Sequence, residues 1–244
     1  MVLFKKKAKP KVKKGFTEVV WEYTQSLGIA IILALVIKTS IVEAYKIPSG
    51  SMEDTLLVGD FLLANKFVYG MRLPIPFVDL RLPAIDEPEP GDIVIFKYPK
   101  NPDLNYIKRV VATEGQVVEI KDKVVYVDGE VFPDPPESKH TDSRIIPPGG
   151  RTIRDNMPAI KVPKGMLFMM GDNRDNSADS RFWGFLDRRL VLGEAMVIHW
   201  SWAPDDNAPD LNLSNPLSFP LLLGYNVWHF PERVRWGRIG NIIE

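Results

Sequence analysis

The sequence predicts a mainly β fold: an antiparallel β-sheet body with long loops, tethered by one N-terminal transmembrane helix. Three observations carry this. A single long apolar run lies near the N-terminus, short strand-like segments fill the remainder, and 21 prolines and 17 glycines supply the turns between them. With 244 residues, 45% hydrophobic and 25% charged, the chain is long enough to bury a core and has the composition of a folded protein.

The charge is lopsided. Residues 1–14 hold seven lysines and no acid, so the remaining 24 basic groups face 31 acidic ones and the body carries −7. An acidic body speaks against nucleic acid as a partner. The chain has no cysteine, which excludes disulfides, thiolate metal sites and a cysteine nucleophile.

Residues 1–20 read as a basic cytoplasmic tail and 21–44 as the anchor. Between Glu22 and Lys38 stand fifteen uncharged residues, "YTQSLGIAIILALVI". That is short of the ~20 residues of a full span. It reaches Val42 once Lys38 extends its ammonium to the headgroups. Trp21, Tyr23 and Tyr45 then fall near the two interfaces, and the lysines place the N-terminus in the cytoplasm. The competing readings are a buried helix of a soluble protein and a signal peptide cleaved after "VEA", Val42 to Ala44. The first is disfavoured by the adjoining lysines, the second because the released domain would begin six residues before Ser51.

Residues 45–244 read as the extracytoplasmic β-rich domain. "FLLANKFVY", "GDIVIFKY", "NYIKRVVA", "QVVEIKDKVVYVDGEVF", "GMLFMMGD" and "GEAMVIHWSW" are strand-like, with Asp128-Gly129 suited to a tight hairpin turn. The proline-punctuated "GMRLPIPFVDLRLPAIDEPEPGD" reads as a surface loop, and about 121–165 as an inserted hairpin and loop region.

The chemistry centres on "PSGSMEDTL". Gly50 gives backbone freedom beside Ser51, but a serine hydroxyl needs a base. His140, His199 and His229 lie in no recognisable triad context. In "NYIKRVV" the strand period puts Lys108 and Arg109 on opposite faces. Only lysine can give up its proton, and desolvation lowers a lysine pKa by up to several units. A buried Lys108 can therefore serve Ser51 as general base; an ordinary surface lysine is the alternative. "GDNRDNSADSRFWGF" fails as a calcium loop, because Arg174, Ser177 and Trp183 stand where a ligand, the turn glycine and the bidentate Glu belong. It reads either as a solvated loop of Asx turns or as a buried polar network behind a catalytic centre.

"PSGSMEDTL", "GDFLLANKFVYG", "GDIVIFKYP", "NYIKRVV" and "GDNRDNSADSRFWGF", in this order, resemble the sequence boxes of the bacterial type I signal peptidases, with "RWGRIG" also in keeping. The resemblance runs from the anchor to about Phe185. It implies a membrane-bound Ser/Lys endopeptidase that removes signal peptides from exported pre-proteins after small residues one and three positions before the cut. It implies Ser51 as nucleophile, Lys108 as general base, and Ser49 with the Ser51 amide as oxyanion hole. Ser177 would orient the lysine amine, Asp179 and Arg181 would form a supporting ion pair, and Asp172 belongs to the same box. Met52, Ile47 and Ile107 would line the substrate pocket. No metal or organic cofactor is expected. The implied partners are pre-proteins, the phospholipid bilayer and a nearby secretion translocon. The implied location is the bacterial cytoplasmic membrane, single-pass, with the catalytic domain outside.

Three positions depart from the family pattern. Asp54 replaces a proline after the nucleophile, "ATEGQ" (Ala112 to Gln116) replaces a Gly-rich, Pro-containing turn, and Asp187 replaces another proline. Two rivals remain open: a self-cleaving Ser/Lys protease of the repressor type, and an inactive tethered module that only binds signal peptides. Self-cleavage after Ala44 is a further expectation, since that site has the substrate pattern.

Overall fold

The computed structural model describes residues 15–40, 42–70, 72–75, 78–81, 83–150, 152–212 and 214–243. The lysine-rich tail, 1–14, lies outside them. Helix α1 runs Phe16–Ser40 and starts inside the stretch expected to be tail. Among the described residues no helix is long and apolar enough to cross a membrane. The side chains of 32 and 35–40, within the expected span, lie outside the described ones. The expected span also ends differently: Val42–Lys46 is strand β1, because its backbone is taken up by antiparallel pairing with β2 (Asp60–Asn65).

Two short strands follow, β3 (Arg72–Ile75) and β4 (Val78–Arg81), forming a hairpin where proline punctuation suggested only loop. A two-stranded ribbon is all edge, so the ladder tolerates Pro74. Next come β5 (Ile93–Tyr98), β6 (Asn101–Ala112), β7 (Val117–Lys121), β8 (Val124–Val127) and β9 (Glu130–Val131). β10 (Met157–Lys161), β11 (Met166–Met170), β12 (Leu186–Asp187) and β13 (Val191–Ser201) complete the set.

The main sheet has seven antiparallel strands in the order β1-β2-β13-β5-β6-β11-β12, and a second has four in the order β10-β7-β8-β9. The second sheet occupies much of the region expected to be an inserted hairpin. Its β8–β9 turn has φ of 53° at Asp128 and 86° at Gly129, as the Asp-Gly pair foretold. The β7–β8 turn makes the same demand of Asp122 and Lys123, at 48° and 72°, a pair carrying no glycine to reveal it.

Burial follows the strand period. Ile93, Ile95 and Ile107 join Leu62, Ala64, Ala195 and Ile198 in one core, whereas Val94, Phe96 and Val110 pack with Leu167, Met169 and Leu186 on the opposite face. With both faces covered, the middle of the sheet admits a charge only if it is compensated or neutralised. Among the described residues three further α-helices follow: α2 (Ser180–Trp183), α3 (Ser218–Trp228) and α4 (Phe230–Arg233). α3 was not expected, since its residues lack a polar stripe that would betray a helical period.

Candidate active site

Ser51 sits in a single 3-10 turn, Gly50–Met52, directly after β1. The turn is pinned from below: Met52 and Ile47 are buried in the core, and the Leu56 N–H donates to the Met52 carbonyl at 2.6 Å. Both side chains, expected in the substrate pocket, thus serve as the turn's footing. Gly50 is not at positive φ. The glycine that close approach requires is Gly171, where a Cβ would stand 2.3 Å from Ser177 Oγ and 2.4 Å from the Ser51 carbonyl oxygen.

β6 carries Lys108 and Arg109 into the sheet on opposite faces, and both are buried. Arg109 is compensated: Nε and Nη2 donate to the two oxygens of Asp172 at 3.0 and 2.9 Å, and Nη1 donates to the Gly91 carbonyl. Lys108 is handled differently. Its Nζ lies 2.7 Å from Ser51 Oγ and 2.8 Å from the Ile107 carbonyl. Burial pulls its pKa down from 10.5 to about 8, against the opposing pull of the Asp179 and Asp172 charges. A hydroxyl beside an amine whose proton is so weakly held is an arrangement able to pass a proton from oxygen to nitrogen.

Ser49 Oγ is 3.5 Å from Ser51 Oγ, on the same side of the turn. Pro48 to Ser51, Tyr106 to Lys108, Asn105, Asn176 and Ala178 line a cavity of about 400 Å³. Of the expected pocket residues, Ile107 borders it.

The "GDNRDNSADSRFWGF" segment leaves β11 and wraps behind this centre. Asp179 and Arg181 form a buried bidentate pair at 2.8 Å, and Asp179 also accepts from the Gly171 N–H at 3.1 Å. Ser177 is buried beside Gly171, and among the described residues its hydroxyl has no hydrogen-bond partner, the Lys108 amine being directed to Ser51 and Ile107. The expected Ser177–Lys108 contact is therefore not formed in this structure.

Several supporting contacts join segments far apart in the chain. Asn173 donates its N–H to the Ser51 carbonyl at 3.2 Å and its Nδ2 to the Gly50 carbonyl at 3.1 Å. Thr55 Oγ1 donates to Asp172 at 2.6 Å. "RWGRIG" closes on the same turn: Arg238 Nη2 donates to the Thr55 carbonyl at 2.9 Å, and Arg235 and Arg238 both ion-pair with buried Asp60, at 3.1 and 2.7 Å. Burial alone would raise the Asp60 pKa, but hydrogen bonds from Arg238, Ser201 and the Leu57 N–H prevail and hold it below the usual carboxylate value. Nothing in the residue pattern announces these pairings, since each depends on chain reversal across the sheet.

Residues 20–200 match the family described as signal peptidase, peptidase S26. The chain belongs to this signal peptidase family. Signal peptidase I of Pseudomonas aeruginosa is 37% identical over 225 residues, covering 81% of this chain and 76% of that relative. Signal peptidase I of Pseudomonas fluorescens is 38% identical over 208 residues, covering 74% and 72%. That of Aquifex aeolicus is 33% identical over 241 residues, covering 79% and 88%. In this signal peptidase family member, the serine, lysine and polar boxes that stood apart in sequence meet around Ser51.

Proposed function

We propose that this protein is a membrane-anchored serine endopeptidase that removes N-terminal signal peptides from exported pre-proteins, with Ser51 as nucleophile and Lys108 as general base. The observation that carries the reading is the 2.7 Å contact between Ser51 Oγ and the buried Lys108 amine. Neutral Lys108 takes the Ser51 proton as Oγ attacks the scissile carbonyl carbon. The carbonyl oxygen becomes an oxyanion, held by the Ser49 hydroxyl and the Ser51 N–H. Protonated Lys108 returns its proton to the leaving amine as the C–N bond breaks. Water, deprotonated by the same amine, then hydrolyses the acyl-enzyme. Small side chains one and three positions before the cut fit the family reading and the modest cavity beside Ser51.

The apolar run of residues 23–37 is the sequence basis for a single anchor. With the seven lysines ahead of it, that anchor sets the N-terminus in the bacterial cytoplasm and residues 45–244 at the outer face, near the translocon from which pre-proteins emerge. The intact Ser51–Lys108 contact speaks against a module that only binds signal peptides. The test is pre-protein cleavage in membranes by S51A, K108A and K108R. Loss of turnover in all three is expected, and full activity in any of them overturns the dyad.

A further inference from the structure

The turn that carries Ser51 does little by itself to aim the oxyanion donor. The Gly50–Ser51 peptide is planar and trans, so its carbonyl and its N–H point in opposite directions. Whatever fixes the Gly50 carbonyl therefore also aims the Ser51 N–H. Packing at Gly50 cannot fix it. Without a Cβ this backbone is the least restricted of any, and a Cβ there would meet nothing closer than Glu53 Oε2 at 3.8 Å. The carbonyl instead accepts two hydrogen bonds at 3.1 Å, one from the Glu53 N–H that closes the 3-10 turn and one from Asn173 Nδ2. The first is made within the turn. The second comes from a side chain 123 residues away in sequence.

We propose that Asn173 is a positioning residue that locks the Gly50–Ser51 peptide and so aims the Ser51 N–H at the oxyanion. Its Nδ2 also donates to Glu53 Oε2, at 3.2 Å. A carbonyl and a carboxylate can only accept, so the side-chain amide cannot turn its oxygen toward them. Glu53 is held in turn by Lys139 at 3.1 Å, and Lys139 forms a β-bridge with Asn173 itself. The Asn173 N–H donates to the Ser51 carbonyl at 3.2 Å, so one residue grips the peptides on both sides of the Ser51 Cα. This orientation has a cost. Asn173 Oδ1 is buried with no hydrogen-bond partner among the described residues. A buried polar atom left unpaired calls for a reason, and the grip of the opposite nitrogen supplies one. A hydrogen bond to the Gly50 carbonyl also polarises that peptide, which strengthens the Ser51 N–H as a donor. The oxyanion exists only along the reaction path, so the lock acts on kcat rather than on substrate binding.

The inference rests on Ser51 acting as the nucleophile, and the experiment separates the two. N173D keeps the side chain's size and the backbone N–H but removes both Nδ2 donors, whereas N173A removes the side chain. The purified full chain of each is assayed for pre-protein cleavage and for binding of a short Ala-X-alaninal peptide and its alcohol analogue. Ser51 Oγ adds to the aldehyde carbon, the carbonyl electron pair moves to oxygen, and the Ser51 proton passes to Lys108. The alcohol cannot form this adduct. In both variants kcat is expected to fall about 10- to 100-fold with little change in KM, short of the loss of an oxyanion donor itself. Aldehyde affinity should weaken by a similar factor and alcohol affinity should not. In N173A, which changes no charge, the acid limb of the pH–rate profile should stay as in wild type. Equal weakening of aldehyde and alcohol, a displaced acid limb in N173A, or a kcat indistinguishable from wild type overturns the proposal. Thermal unfolding screens both proteins, and if N173A does not fold, the isosteric N173D decides. Activity retained in S51A, by contrast, overturns the nucleophile assignment.

Discussion

Lys139 Nζ lies 2.9 Å from Asp54 and 3.1 Å from Glu53, joining the loop after β9 to the turn that carries Ser51. The same loop is stitched to the polar box by backbone: the Lys139 N–H donates to the Asp172 carbonyl, and the Arg174 N–H to the Lys139 carbonyl, both at 2.9 Å. Asp54 has φ of 79°, a left-handed conformation closed to proline, whose ring fixes φ near −65°. The aspartate standing at the family's proline position thus belongs to a differently shaped turn, held by a lysine from a distant loop.

Asp54→Pro, the residue that the family resemblance implies here, is therefore expected to lower stability by more than about 1 kcal/mol and to depress kcat. Asp54→Gly, free to keep the positive φ, should retain most activity. Thermal unfolding and cleavage kinetics check this; an unimpaired proline variant would show that the turn is not so shaped. Lys139→Arg should preserve more activity than Lys139→Ala.

Activity should rise with pH on its acid side. The base must be neutral to accept the Ser51 proton, and its pKa is about 8. Below that value kcat/KM is expected to fall about tenfold per pH unit as the neutral fraction shrinks. A pH–rate profile flat between pH 6 and 9 would exclude Lys108 as the base.

The same lysine should burden the fold. A group whose pKa drops from 10.5 unfolded to about 8 folded leaves the unfolded state binding more protons between those values, so stability rises with pH across that window. Below pH 8 both states are protonated and the cost is fully present, roughly 3 kcal/mol. Lys108→Met is expected to abolish cleavage yet raise neutral-pH stability, and to flatten its rise between pH 8 and 10. Denaturant titrations at several pH values measure both effects.

Asp60 should also make stability rise with pH, but as a contribution rather than a cost. Its pKa is depressed when folded, so its contribution is present above the unfolded carboxylate value and is lost as pH falls through the folded one. Acid unfolding below about pH 4 should accordingly be blunted in Asp60→Asn. At pH 7 the same change should destabilise by about 3–5 kcal/mol, because it leaves Arg235 and Arg238 without their shared partner.

The strand body was legible because its strands alternate or run apolar between turn residues. β5, β8 and β11 fall within segments marked by pattern alone, and β13 begins two residues before its own. β1 was not, because its residues directly follow the apolar run without a turn signal and become a strand only by pairing with β2. The β3–β4 hairpin was masked by prolines, and α3 by its lack of a polar stripe. In the site, Ser51 and Lys108 could be named from residue chemistry and from their boxes. Asn173, Thr55, Lys139 and the Arg109–Asp172 pair had no local signal.

The sequence by itself determined the apolar N-terminal run with its lysines and the β character of the body, and it named Ser51 and Lys108 as candidates for chemistry without histidine. Tertiary structure decided which of two neighbouring basic residues is left without a carboxylate hydrogen bond. Arg109 meets Asp172 on one face of the sheet, while Lys108 on the other hydrogen-bonds a hydroxyl and a carbonyl beside the Tyr106 ring. Burial without a compensating carboxylate favours the neutral amine, and that environment exists only once the sheet, the serine turn and the polar box have closed around it.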